Sequence, residues 1–161
     1  MNEMIWRFAE HADKDPLHYT ACGLDDVYLM SGYDLLDTPE GEGIRIRNLE
    51  GLHDAIGHYL AAHKKVLSGK ELRFLRSHMD LTQSELGNLV GLSSQQVARW
   101  EKEQCKVSGA AESFVRILFL EDLCENIRVR ELLNELETLD DELDERTVFS
   151  ETIDGWQQKA A

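Results

Sequence analysis

Apolar residues follow a helical period near the middle of the chain. The apolar stripe begins at Leu49. From Leu52 onward an apolar residue occurs at every fourth position, at Ile56 and at Leu60. A stripe of this spacing on a mostly polar segment is typical of an amphipathic helix with one buried face. The sequence therefore predicts a helix from Leu49 to about Lys65, where the period ends.

Two short stretches before this helix have the pattern of strands. VYLM (27–30) is a compact apolar run, and GIRIRN (43–48) alternates isoleucine with arginine. The segment between them, SGYDLLDTPEGE, is rich in residues that favour turns, so we expect the two strands to pair as a hairpin. With the helix that follows, they predict an N-terminal α+β module over residues 1–67.

Three capping patterns in succession predict three short helices after this module. Each places a hydroxyl residue three positions before a Glu or Gln, in the pairs Ser68–Glu71, Thr82–Glu85 and Ser93–Gln96. The first helix should run from Lys70 to about Met79, and Gly91 should lie in the turn between the other two. Apolar contacts come from Leu81, Leu86, Leu89, Leu92, Val97 and Trp100. This arrangement is typical of a helix-turn-helix.

A further apolar helix, from about Ala110 to Leu123, is expected to complete this domain over residues 68–126. Its core residues would be Phe114, Ile117, Leu118 and Leu120. An acidic helix and tail then occupy residues 127–161. That helix has a heptad-like apolar stripe, which is short and therefore favours packing within the chain. Its residues are Val129, Leu132, Leu136, Leu139 and Leu143.

The tail from Thr147 onward is polar apart from a few apolar residues, so it is expected to be loosely ordered or to depend on a partner. The fold class that follows is α+β. It comprises a small hairpin-plus-helix module, an all-α helix-turn-helix domain and an acidic C-terminal helix.

Charge is distributed unevenly along the chain. The formal net charge is -14, yet residues 63–116 hold nine Lys and Arg against six Asp and Glu. Residues 1–62 and 117–161 are both strongly acidic. A negatively charged protein surface repels nucleic acid. Any contact with DNA therefore has to rely on the basic segment that contains the predicted helix-turn-helix.

Polar side chains on the third predicted helix are suited to reading bases. Gln95 can bond adenine and Arg99 can bond guanine in the major groove. Cations of the same segment are candidates for phosphate contacts: Lys64, Lys65, Lys70, Arg73, Lys102 and Lys106. The alternative is a helix face that is merely solvated.

Other chemistry is not expected. His53, His58 and His63 are spaced by five residues, which rotates them apart around a helix, and no Cys or Ser lies in a recognisable activating motif. We therefore expect no enzyme activity, no metal and no cofactor. Three separated cysteines favour reduced thiols, and the absence of a leader or a long apolar run indicates a cytoplasmic protein away from membranes.

The stretch LTQSELGNLVGLSSQQVARWEKE (81–103) resembles the Xre/Cro helix-turn-helix family, over about residues 70–119. The resemblance implies that Gln83 bonds a phosphate, that Ser94, Gln95 and Gln96 reach base edges, and that Arg99 lies further along the same groove. It also implies a structural pair between Arg76 and Glu101. Glu103 departs from the family, which usually has glycine there to end the helix.

The stretches YTACGLDDVYLMSGY and GEGIRIRNLEGLHDAIG are similar to the region preceding this motif in MqsA-like antitoxins. Those proteins often carry a CxxC zinc ribbon there; this chain has only Cys22, so the metal is not carried over.

Together these features predict a sequence-specific repressor, an operon autorepressor and antitoxin of a toxin-antitoxin pair, that binds a palindromic operator as a homodimer. A basic toxin would bind to the excess acidic residues of the chain. The alternatives are a stand-alone or phage-type regulator, and an interaction protein whose acidic surface neutralises a basic partner.

Overall fold

The structure is a computed structural model that describes residues 15–123, 128, 132, 135, 136, 138, 139 and 146–159. Its secondary structure confirms the α+β class. The elements are β1 (Leu17–His18), β2 (Val27–Leu29), β3 (Tyr33–Thr38), β4 (Gly41–Ile46), α1 (Leu49–His63), α2 (Gly69–His78), α3 (Gln83–Val90), α4 (Ser94–Glu101), α5 (Gly109–Asp122), β5 (Thr147–Thr152) and β6 (Gly155–Lys159).

The chain folds into two compact units, which we call the sheet unit and the helical unit. As far as it is described, the sheet unit comprises residues 15–20, 25–52 and 146–159. The helical unit comprises residues 21–24 and the described residues from 53 to 139. This division differs from the predicted boundaries of 1–67, 68–126 and 127–161, because it crosses α1 after Leu52 and joins the C-terminal strands to the N-terminal ones.

The sheet unit contains a four-stranded sheet in the order β1-β2-β5-β6 and a separate two-stranded sheet, β3-β4. Strands β2 and β5 run parallel, with Val27 opposite Thr147 and Leu29 opposite Phe149, and the other pairs are antiparallel. Leu29 and Phe149 are fully buried. The core of this unit is therefore built on strands that lie far apart in the sequence.

The predicted pairing of 27–30 with 43–48 is wrong. Strand β4 pairs instead with β3, inside the segment that was expected to be a turn, and β2 pairs with β1 and β5. The true turn is shorter than predicted, because only Pro39 and Glu40 lie between the paired ends Thr38 and Gly41.

The prediction of a loosely ordered tail is also wrong, since β5 and β6 form a hairpin on the four-stranded sheet. Val148, Phe149 and Trp156 are buried, which accounts for most of the scattered apolar residues of the tail. The indole nitrogen of Trp156 donates to the carbonyl oxygens of Arg47 and Asn48 at 3.3 and 3.2 Å. The tail is therefore ordered by the pairing of β5 with β2 of the same chain.

The helical unit begins its helices where the capping patterns predicted. Ser68 and Thr82 each accept a bond from the amide three residues later, and Glu71 and Glu85 each accept one from the cap amide in return. Ser93 accepts from the Gln96 amide at 3.2 Å, although the Gln96 side chain does not return the bond.

Arg116 ties the end of α1 to α5. Its guanidinium is 1% exposed and donates to the carbonyls of Leu60, Ala61 and Lys65 at 2.7, 3.1 and 3.1 Å. Nη2 also donates to Glu112 at 2.6 Å. Because these carbonyls belong to the last turn of α1 and the residues after it, the bonds satisfy groups that a helix end leaves unpaired. They join α5 to α1, most of which, residues 53–63, belongs to the helical unit.

Burial within this unit matches the sequence prediction only in part. Leu86, Val97 and Trp100 are buried as expected, whereas three predicted core residues are substantially exposed: Leu89 (50%), Leu92 (41%) and Phe114 (39%). The buried stripe of α5 is Ala111, Val115 and Phe119, so Phe114 falls outside it. Of the predicted C-terminal stripe, Val129 and Leu143 lie outside the described residues, and Leu132 is buried.

Gly69 is a position where α2 meets the end of α4 at close range. A Cβ atom there would lie 2.5 Å from the Trp100 carbonyl oxygen and 2.7 Å from that of Glu101. Because backbone would have to shift, we expect Gly69→Ala to lower the free energy of unfolding by about 1–3 kcal/mol. Urea denaturation of the full chain measures this loss.

Gly109→Ala provides the matched control, since a Cβ atom there meets nothing within 4 Å and Gly109 is the first residue of α5. This variant should be neutral or more stable by up to about 1 kcal/mol. Equal losses in the two variants would contradict the close packing of α2 against α4.

Candidate nucleic-acid interface

The two helices α3 and α4 are joined by a turn at Gly91, Leu92 and Ser93. Gly91 has φ 72°, the left-handed conformation that glycine adopts without a steric penalty. Gly87 packs against the same turn, since a Cβ atom there would lie 2.7 Å from the Leu92 carbonyl oxygen. Two glycines therefore allow the chain to turn from α3 into α4 within three residues.

Glu101, the last residue of α4, connects this pair of helices to α2. Its carboxylate accepts from Arg76 Nε at 2.5 Å and Nη2 at 3.1 Å, and from Gln83 Nε2 at 2.8 Å. Arg76 Nη1 also donates to the Leu81 carbonyl at 2.6 Å. The Arg76–Glu101 pair that the family resemblance implied is thus present, and both side chains are largely buried, with 11% and 5% exposed.

Gln83 takes part in this network, a contact that sequence reasoning missed. It is the first residue of α3 and is half-buried. A Gln amide nitrogen carries two donors, so the bond to Glu101 leaves one with which Gln83 can contact a phosphate.

The face of α4 opposite its buried residues presents a row of polar side chains. Ser94, Gln95 and Arg99 are exposed, while Val97 and Trp100 are buried. At 3.6 residues per turn the exposed three lie within an arc of about 140°. Lys102, the exposed C-cap of α4, falls within the same arc.

Gln96 is placed differently from the other predicted base contacts. It is half-buried, and its Nε2 lies 3.3 Å from Cys105 Sγ, to which it donates a hydrogen bond. Sulfur is a weak acceptor. In this structure the Gln96 amide is therefore engaged beyond the end of α4, and the exposed row consists of Ser94, Gln95 and Arg99.

Two of the candidate phosphate contacts are exposed on segments other than α4. Arg73 is exposed on α2, and Lys106 is exposed in the segment after α4. Lys64 instead forms an ion pair with the buried carboxylate of Glu71, so it has a structural partner.

Glu103 adopts the left-handed conformation, with φ 56°, at the position where the family usually has glycine. For an L-residue this conformation costs about 1–2 kcal/mol. The Glu103 carboxylate accepts from the Gly69 amide at 3.1 Å, at the start of α2. This bond to a helix N-terminus is of the kind that favours a carboxylate, and it offsets part of the cost.

Electrostatics at the start of α3 also favour a carboxylate. Hydrogen bonds of the Glu85 carboxylate with the Thr82 amide, and secondly with the Thr82 hydroxyl, hold the pKa of Glu85 below its usual value. Among the residues that the structure describes, no three His, Cys, Asp or Glu side chains gather as a metal site requires. Nor does any helix in that part of the chain have the length and apolar character needed to cross a membrane.

Comparisons with protein-family models, with curated proteins and with solved structures found no significant match to this chain.

Loss of the Glu101 carboxylate should destabilise the helical unit. Glu101→Ala would leave the Arg76 guanidinium without its buried partner, so we expect the free energy of unfolding to fall by about 3 kcal/mol in urea titrations. Glu121→Ala, on an exposed position of α5, is the control and should change stability by less than about 0.5 kcal/mol. A similar small loss in both variants would show that Glu101 does not hold the helices together.

Proposed function

We propose that the helical unit binds double-stranded DNA through a helix-turn-helix formed by α3 and α4, with α4 in the major groove. The observation that carries the proposal is the exposed row of Ser94, Gln95 and Arg99 on a helix whose end is fixed by Glu101. A rigid helix that presents hydrogen-bonding side chains to solvent matches the requirement for reading base edges.

The side chains divide between two roles in this proposal. Gln95 bonds adenine, Arg99 bonds guanine, and Ser94 contacts a neighbouring base. Gln96 would add a base contact only after leaving Cys105. Phosphate contacts come from Gln83, Arg73, Lys102 and Lys106, which position the protein on DNA without specifying a sequence.

The sequence resemblance supports membership of the Xre/Cro family. The left-handed Glu103 is consistent with it, because the backbone keeps the conformation that a glycine would supply there. In this proposal the protein is a cytoplasmic repressor that acts on its own operon. Two copies bind a palindrome, because a single short helix contacts too few base pairs for useful specificity.

Substitutions on α4 separate base reading from phosphate contact. An operator is first obtained by in vitro selection with the purified chain. Gln95→Ala and Arg99→Ala should each weaken the free energy of binding to that duplex by about 1–3 kcal/mol more than to a scrambled duplex. Lys102→Ala should weaken binding to both duplexes equally, because a phosphate contact carries no sequence information. Fluorescence anisotropy at fixed salt measures all three.

The same titrations give the stoichiometry, which should be two chains per operator. Failure of the selection to enrich any sequence, or equal losses on both duplexes for all three variants, would refute base reading by α4. One chain per duplex at saturation would refute the dimer alone.

A second function, neutralisation of a basic partner such as a toxin, is favoured by the β3–β4 hairpin. Asp37 and Glu42 are opposite each other in its register, and Glu40 lies in its turn; all three are exposed. Like charges opposite one another destabilise a sheet, so a cation-bearing partner would stabilise this tip. We propose that the tip contributes to an antitoxin role.

Neutral substitutions in the hairpin test this role and leave the strands of the four-stranded sheet in place. The triple variant Asp37→Asn, Glu40→Gln, Glu42→Gln should bind a basic protein encoded by an adjacent gene at least about tenfold more weakly at low salt. Glu121→Gln with Asp122→Asn, on α5, is the control. Calorimetry measures both affinities, and equal affinity for wild type and triple variant would exclude the tip.

A further inference from the structure

A cleft of about 530 Å³ opens along one face of α2, within the helical unit. Lys70, Arg73, Phe74, Ser77 and His78 line it from α2, at the spacing of successive turns on one side of a helix. His53 of α1 and residues 21–23 line it from other parts of the chain. The volume lies in the range of sites that hold small molecules.

The charge of this cleft is opposite to that of the chain. Lys70 and Arg73 are cationic, and none of the described residues that line it carries a carboxylate. The whole chain has 31 Asp and Glu against 17 Lys and Arg. Asp54 on α1 is an acid close to the cleft, and its Oδ1 lies 2.7 Å from Nε2 of His78, which lines the cleft. A concave surface of this sign attracts anions.

Three of the residues that line the cleft carry aromatic rings: His53, Phe74 and His78. The Phe74 ring is parallel to that of His78, with centroids 6.1 Å apart, and perpendicular to that of His53 at 5.7 Å. His78 also contacts the buried ring of Phe119 at 5.5 Å. Burial, and secondly the neighbouring His78, lower the pKa of His53, while Asp54 opposes this. A neutral His53 presents a flat, weakly polar ring at neutral pH.

From this combination we propose that the cleft binds a small aromatic anion, a flat ring that carries a phosphate or carboxylate group. Lys70 and Arg73 bind the anionic group, and the Phe74, His53 and His78 rings contact the flat ring. A guanidinium suits this task because its donors match the geometry of both groups.

Binding of such an anion would compete with DNA, because Arg73 is also a candidate phosphate contact. This consequence rests on the proposed function, whereas binding in the cleft does not. The variant Arg99→Ala separates DNA binding from binding in the cleft, because it removes a proposed base contact and lies outside the cleft.

The probe for the experiment is 1-naphthyl phosphate, with inorganic phosphate and 1-naphthol as its two halves. Calorimetry with the full chain at neutral pH should show binding of 1-naphthyl phosphate at least about tenfold tighter than of either half, because charge and ring contacts add. Arg73→Ala should weaken it about tenfold. Lys102→Ala, which removes an exposed cation outside the cleft, should leave it unchanged.

Since Arg73 is exposed, its variant should fold, which thermal unfolding checks. Phe74→Leu should reduce the preference for 1-naphthyl phosphate over inorganic phosphate. Equal affinity of wild type and Arg73→Ala, or inorganic phosphate binding as tightly as 1-naphthyl phosphate, would overturn the proposal. So would perturbation of the His53 and His78 proton resonances by duplex DNA but not by the probe. Loss of DNA binding in Arg99→Ala with the probe still bound would support the cleft as a site of its own.

Discussion

The carboxylate of Glu101 is the interaction on which the arrangement of the helical unit depends. Its two oxygens accept from α2 through Arg76 and from α3 through Gln83, while the residue itself ends α4. Both members of the ion pair are largely removed from water, so each needs the other to offset its desolvation. Three short helices, none long enough to be stable alone, are thereby fixed relative to one another.

Arg116 has a corresponding role between α1 and α5, and the sequence could not have shown it. A single arginine within an apolar helix is ordinarily expected at the surface. Here the guanidinium is buried because carbonyls of the last turn of α1 and of Lys65 after it, together with the Glu112 carboxylate, provide acceptors in the directions of its donors. Most of α1, residues 53–63, belongs to the helical unit, and this match joins residues more than 50 positions apart.

Sequence reasoning succeeded where the determining contacts are local. The capping boxes at Ser68 and Thr82 involve only residues three apart, and the helix starts follow from them. It failed for β2 and β5, whose parallel pairing joins Val27 to Thr147, because a short apolar stretch does not specify its partner. The exposed row on α4 follows from helical spacing, whereas the cleft required α1, α2 and residues 21–23 to come together.

The position of α2 relates these features to the proposal that an acidic protein binds DNA. One side of α2 carries Arg76, which fixes the end of α4, and another carries Lys70 and Arg73 in the cleft. Charge repulsion between exposed groups fades over about 8 Å at physiological salt. Acidic residues elsewhere on the chain therefore repel DNA only where they come within that distance of a phosphate. A local row of uncharged and cationic side chains on a fixed helix can then decide the contact, and the net charge of the chain need not be basic for it to form.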